Sequence, residues 1–128
     1  MRKIILLICA ILMISTVANA CGGITVKGKY CLSKFKMNWY TAYAWCKDQS
    51  MDLIERDTTC GTNVGKCSEL ALSSAEQNKI KENGGTVDWV WTNTSSTSST
   101  AYDLDLSSGG VHREHYYGRN TSKYALCY

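Results

Sequence analysis

The stretch Asn38-Trp39-Tyr40-Thr41-Ala42-Tyr43-Ala44-Trp45-Cys46 decides how the rest of the chain is read. Trp39, Ala42, Tyr43 and Cys46 fall at i, i+3, i+4 and i+7, which is one face of an α-helix. Asn38 is of the type that caps a helix start, because its side-chain oxygen accepts a bond from a backbone N–H that has no partner inside the helix. The spacing predicts a helix from Trp39 to about Gln49, with Cys46 on its buried face.

Far upstream of that helix, Arg2 and Lys3 precede an apolar run over residues 4–14, and Ser15-Thr16-Val17-Ala18-Asn19-Ala20 ends in the small-x-small pattern that signal peptidase cleaves. The run is too short to span a bilayer. The expectation is a secretory signal over residues 1–20 and a mature domain over residues 21–128, released or held in the cell envelope or periplasm. Cys21 would then be the first mature residue, the place that bacterial lipoproteins lipidate. Lipidation prefers a bulky aliphatic residue three places earlier, where this chain has Ala18, and it would leave an odd number of cysteines.

The chain has 7 cysteines, and Cys9 departs with the signal. Cys21, Cys31, Cys46, Cys60, Cys67 and Cys127 remain, and an even number in an exported chain implies disulfides rather than metal or redox chemistry. Many connectivities are open, and spacing narrows them. Cys21 and Cys31 bracket Gly-Gly-Ile-Thr-Val-Lys-Gly-Lys-Tyr, whose alternation and turn glycines read as a hairpin. Cys60 and Cys67 flank a compact loop. Those local pairs leave Cys46 to join Cys127 across almost the whole domain.

Composition bounds the rest. The 128 residues, 45% apolar and 20% charged, fit one small globular domain and exclude wholesale disorder. The formal charge is +3; without Arg2 and Lys3, 12 basic residues face 11 acidic ones, so the mature charge is about +1. That is too little to argue for nucleic acid or a membrane surface as partner.

Downstream of the first helix, Ser73-Ser74-Ala75-Glu76 is a capping box and Gly84-Gly85 a stop, predicting a second, more polar helix that lies against the surface. From Val87 the period changes to two. Residues 87–91, 101–106, 111–117 and 123–127 read as strands, with a turn at Ser107-Ser108-Gly109-Gly110 and a solvated Ser/Thr-rich loop over residues 92–100.

Hairpin with Cys-x9-Cys, helix, second helix, then a late antiparallel sheet whose last cysteine returns to the first helix: in this order the mature chain resembles the C-type lectin-like fold. Residues 38–46 resemble that family's Trp-x-x-Ala-x-x-x-Cys helix. Met51-Asp52-Leu53-Ile54 stands where its Leu-Ala-x-Ile strand does, and Tyr124-Ala125-Leu126-Cys127 resembles its closing strand. The resemblance implies an α+β domain of two helices packed on antiparallel sheets and stapled by disulfides. It is closer to bacterial exported members, in which Trp-x-Ser/Thr-Thr, a Ser-rich loop, an Ala-Tyr strand, Ser-Ser-Gly and a Tyr-rich segment follow in order. Trp91-Thr92-Asn93-Thr94, Ala101-Tyr102, Ser107-Ser108-Gly109 and Tyr116-Tyr117 match that layout. Among such proteins are the variable proteins of diversity-generating retroelements, whose C-terminal segment is mutated to vary a binding surface. The sugar-binding members hold calcium around a cis-proline followed by Trp-Asn-Asp. This chain has no proline and no Trp-Asn-Asp, so calcium-dependent carbohydrate binding at that site is not expected.

Several residues invite a chemical reading. His112 and His115 resemble a metal pair, but on a strand residues three apart point to opposite faces. Asp103 and Asp105 share a strand face, as two carboxylates of a hydrolase would; alternation with Leu104 and Leu106 explains them as a solvated face. No serine sits in a Gly-x-Ser-x-Gly elbow. The formylglycine-generating enzymes share the fold but are longer and use free cysteines. The expectation is no enzyme, no metal and no cofactor. The segment from Val111 to Asn120 instead concentrates Tyr and Arg, the residues that carry interface hot spots, although a polar edge strand would hold the same residues. The expected ligand-contacting set is Tyr102, His112, Arg113, His115, Tyr116, Tyr117 and Arg119, presented to an extracellular protein or glycan. The alternative is a secreted structural protein with no specific site. Trp39, Tyr43, Trp89, Trp91 and Leu126 are expected to hold the fold.

Overall fold

Asn38 accepts the backbone N–H of Thr41 through Oδ1 at 2.8 Å and starts helix α1, Trp39–Asp48. Trp39, Ala42 and Cys46 are buried along one face. The helix closes by two bonds, Met51 N–H to the Cys46 carbonyl at 3.0 Å and Ser50 N–H to the Lys47 carbonyl at 2.9 Å. This is a Schellman ending, with Ser50 in the left-handed region at φ 58°.

The computed structural model describes residues 21–61, 67–70, 72–95, 97–106 and 115–128; the expected signal segment and the turn over residues 107–110 lie outside them. Strands β1 (Ile24–Val26) and β2 (Tyr30–Leu32) form the N-terminal hairpin. After α1 come a short helix α2 (Arg56–Cys60), a 3-10 turn (Ser68–Leu70) and helix α3 (Ser74–Glu82). Ser73 and Glu76 make the reciprocal capping box of α3. Strands β3 (Trp89–Ser95), β4 (Thr100–Asp105), β5 (His115–Gly118) and β6 (Tyr124–Cys127) complete an α+β domain.

The six strands make one sheet in the order β1-β2-β6-β3-β4-β5. β6 is central, antiparallel to β2 and parallel to β3. Residues 52–54 run beside its other end through an isolated bridge, Leu53 to Cys127, and a bond from Ile54 N–H to the Leu126 carbonyl at 2.9 Å. Both faces of the sheet are covered. α1 packs Trp39, Ala42 and Cys46 onto Cys31, Trp91, Ala101, Ala125 and Cys127. On the opposite face Ile24, Leu32, Val90, Leu104 and Leu126 meet Ile54, Leu70 and Ile80. Buried indoles have partners: Trp39 Nε1 donates to the Thr92 carbonyl at 2.9 Å and Trp91 Nε1 to the Met37 carbonyl at 3.0 Å.

Three disulfides are formed, Cys21–Cys31, Cys46–Cys127 and Cys60–Cys67. The second ties α1 to the central strand across a sequence separation of 81 residues. Disulfides of this kind belong to oxidising compartments. Among the described residues no helix is long and apolar enough to cross a membrane.

Three expectations are corrected. In place of two helices on antiparallel sheets, the described residues form three α-helices and one mixed sheet in which β3 and β6 run parallel. β3 runs through Ser95, so the start of the supposed solvated loop is strand, and Thr92 is fully buried, its hydroxyl donating to the Tyr102 carbonyl at 2.8 Å. Asp103 is not on a solvated face: it is 0% exposed. Simple alternation presumes one wet face, and here both faces of β4 are covered, so the polar positions are enclosed along with the apolar ones.

Candidate functional site

Of the expected ligand-contacting residues, Tyr102 lies on β4, His115, Tyr116 and Tyr117 on β5, the outermost strand, and Arg119 just after it. The β5 backbone pairs His115 with Asp103, Tyr116 with Tyr102 and Tyr117 with Ala101. His112 and Arg113 lie outside the described residues. Tyr102 and Arg119 can be followed in detail, and the structure sends them to different neighbours.

Arg119 follows β5 and is half-buried. Its guanidinium lies over the Trp39 ring, 4.1 Å from the centroid, and 5.9 Å from that of Tyr40. Nη2 donates to the Thr97 carbonyl at 3.2 Å and Nε to the Thr100 carbonyl at 3.4 Å. Its backbone is held too, since Arg119 N–H donates to the Ser99 carbonyl and its own carbonyl accepts from Trp39 N–H, both at 2.9 Å. Arg119 therefore fastens the end of β5, the turn over residues 97–100 and the start of α1 together. The cation stands in a ladder: Tyr43 stacks on Trp39 with centroids 5.4 Å apart, Tyr40 meets Trp39 edge-on at the same separation, and Lys47 caps Tyr43 at 5.6 Å. Tyr40 is 51% exposed at the rim of this ladder.

Tyr102 faces the other way. The Arg56 guanidinium at the start of α2 lies 4.4 Å from its ring centroid. Arg56 N–H donates to Thr94 Oγ1 at 3.0 Å, which fixes α2 to the end of β3. Reading along the sequence missed Tyr40 and Arg56. Tyr40 carried a signal, an aromatic residue next to the buried helix stripe. Arg56 carried none, because its partner ring arrives from a strand forty-odd residues downstream in the chain.

Asp103 is the buried charge of this region. Lys123 Nζ stands 3.6 Å from Oδ2, and neither carboxylate oxygen accepts a hydrogen bond among the described residues. Lys123, 14% exposed at its side chain, also lies over Trp89. Burial pushes the Asp103 carboxyl up to about 6, and Lys123 holds it from going further. Asp105, two residues on, is half-buried. Two hollows elsewhere, one beside β1 and α3 and one around Lys29, Tyr30 and Tyr128, do not touch Asp103. Among the described residues no group of three or more His, Cys, Asp or Glu side chains is placed to hold a metal ion.

No protein-family profile matches the chain, and no curated protein sequence does.

Proposed function

We propose that this chain is a secreted, non-catalytic binding domain of the C-type lectin-like kind, which presents the Tyr- and Arg-rich rim around β4 and β5 to an extracellular protein or glycan without needing calcium. The fold reading is supported by the order of elements, by the stapled N-terminal hairpin, and by the disulfide from the first helix to the last strand. The binding reading rests on one observation above all. The staple and the buried aromatic residues gather around α1, β2, β6 and β3, whereas His115, Tyr116 and Tyr117 sit on the outermost strand, away from the staple. Tyr40, exposed beside the Arg119 ladder, extends that rim. Tyr presents a large contact area with a polar handle at small entropic cost, which suits such a surface.

One observation favours the alternative of a secreted structural protein. Both Tyr102 and Arg119 are engaged inside the molecule, in cation–π contacts with Arg56 and Trp39. Screening the protein on arrays of immobilised glycans and extracellular proteins separates the two. The binding reading expects retention on a restricted set of spots, lost when His112, Arg113, His115, Tyr116 and Tyr117 are replaced together by Ser or Ala. No retention, or retention that the five replacements leave intact, favours the structural alternative. Sequencing sibling genes tests the bacterial variable-protein relationship: near-duplicate 3′ ends beside a reverse transcriptase are expected if the segment is diversified.

A further inference from the structure

At the opposite edge of the sheet from β5, strand β1 ends the order and pairs only with β2. In an antiparallel pair alternate residues turn N–H and C=O away from the partner strand. Among the described residues no backbone bond reaches β1 other than the β2 ladder and the turn bond from Lys29 N–H to the Val26 carbonyl at 3.2 Å. β1 is thus an open template for another strand. Helix α3 packs next to β1, and between them lies a groove of about 480 Å³. One wall is the consecutive residues 23–28, β1 with its flanks; the other is Glu76, Lys79, Ile80 and Asn83 of α3 and its cap. Ile24 and Ile80, 5% and 2% exposed, close the floor.

The charge around the groove is one-sided. Lys27, Lys34 and Lys79 line it against a single carboxylate, Glu76. Glu76 is committed to the Ser73 backbone N–H at 2.9 Å, which holds its carboxyl below the usual range and keeps it at the end of the helix. Lys27 turns its ammonium to the Glu69 carbonyl. Lys34 and Lys79 are exposed, and neither ammonium makes an ion pair or hydrogen bond among the described residues. A free strand edge, a helix as the far wall, an apolar floor and two unneutralised cations are the parts that strand-adding peptide sites use: main-chain bonds give affinity and the flanking side chains give selectivity.

We propose that the groove between β1 and α3 binds an extended acidic segment of another protein, which joins the sheet as a strand beside β1 and sets its carboxylates against Lys34 and Lys79. This site is independent of the β4–β5 rim.

The test is fluorescence anisotropy of a fluorescein-labelled peptide of alternating Val and Glu, titrated with the protein. Saturable binding that weakens with added salt is expected. The same peptide N-methylated at alternate residues, which cannot complete a ladder, should bind about tenfold more weakly or worse, and so should the doubly substituted protein K34E/K79E against the unmodified peptide. The N-methylated peptide leaves the protein unaltered, so its loss of binding cannot come from a folding defect. Absence of saturable binding would overturn the proposal. So would equal affinity for the N-methylated peptide, which would mean that the groove captures anions, an acidic glycan among them, without strand addition.

Discussion

Asp103 has the most unusual surroundings of any side chain described: full burial, no hydrogen bond to either oxygen among the described residues, and one ammonium group 3.6 Å away. Its carboxyl titrates near 6 in the folded chain, against 3.8 when unperturbed. The native state therefore holds the proton more tightly than the unfolded chain does, and protonation stabilises the fold. That stabilisation is complete below about pH 4 and is lost as pH rises through about 6. Glu69 and Glu76, held low by Lys29 and by the Ser73 backbone, work in the opposite sense only at lower pH. Urea unfolding should accordingly give a stability about 1 kcal/mol higher at about pH 5 than at about pH 7.5, and D103N should flatten that difference. A stability that stays level or rises from about pH 5 to about pH 7.5 would mean that Asp103 is solvated after all. None of this was legible in the sequence, where Asp103 and Asp105 alternate with leucines as a surface strand does. Arg119 was legible as an interface type, but not as the clamp it is, because the carbonyls of Thr97 and Thr100 and the Trp39 ring reach it only through tertiary packing.

At the scale of elements, what was legible is what local chemistry determines. Asn38 and the Ser73–Glu76 box mark the starts of α1 and α3 because the caps are made within three residues. The three bonded cysteine pairs coincide with those that spacing points to. The short helix α2 and the 3-10 turn went unread, since neither is long enough to show a period. β3 was placed at residues 87–91 but runs over Trp89–Ser95, because its Thr- and Ser-rich half is recruited by partners, Asn93 N–H bonding the Ile54 carbonyl at 2.7 Å. Ser50, left-handed at the end of α1, occupies a position where glycine carries no steric cost. S50G should raise stability by about 0.5–1 kcal/mol in urea titrations; a loss would show that the Ser50 side chain has a role of its own. The staples should rank by the loop that they close. Replacing Cys46 and Cys127 by Ala should cost about 4.5 kcal/mol, against about 2.5 for Cys60 and Cys67. Equal losses would point to strain or residual unfolded structure rather than chain entropy.

The whole molecule divides its work across one sheet. Its centre is fastened by a disulfide and covered on both faces, and its two outer strands, β1 and β5, are left at the edges. On the proposed binding reading, stability and recognition can then vary separately, as a binding surface on a constant fold requires. The chain has no proline to anchor a calcium loop of the sugar-binding kind, and among the described residues no group of three or more His, Cys, Asp or Glu side chains is placed to hold a metal ion, so the proposed function is read as calcium-independent. Thermal melts in millimolar calcium and in chelator should coincide within about a degree, and a rise of several degrees with calcium would contradict a calcium-independent fold. The claim that the β5 rim serves ligands rather than packing is tested most directly by urea unfolding of the protein carrying His112→Ser, Arg113→Ala, His115→Ser, Tyr116→Ala and Tyr117→Ala together, with Tyr102 and the clamp Arg119 left in place. If the rim is free for binding, the five changes together should cost less than about 2.5 kcal/mol, as surface substitutions do. If either tyrosine ring is part of the core, its truncation alone should cost roughly 3–5 kcal/mol, and a variant that fails to fold would contradict the binding reading.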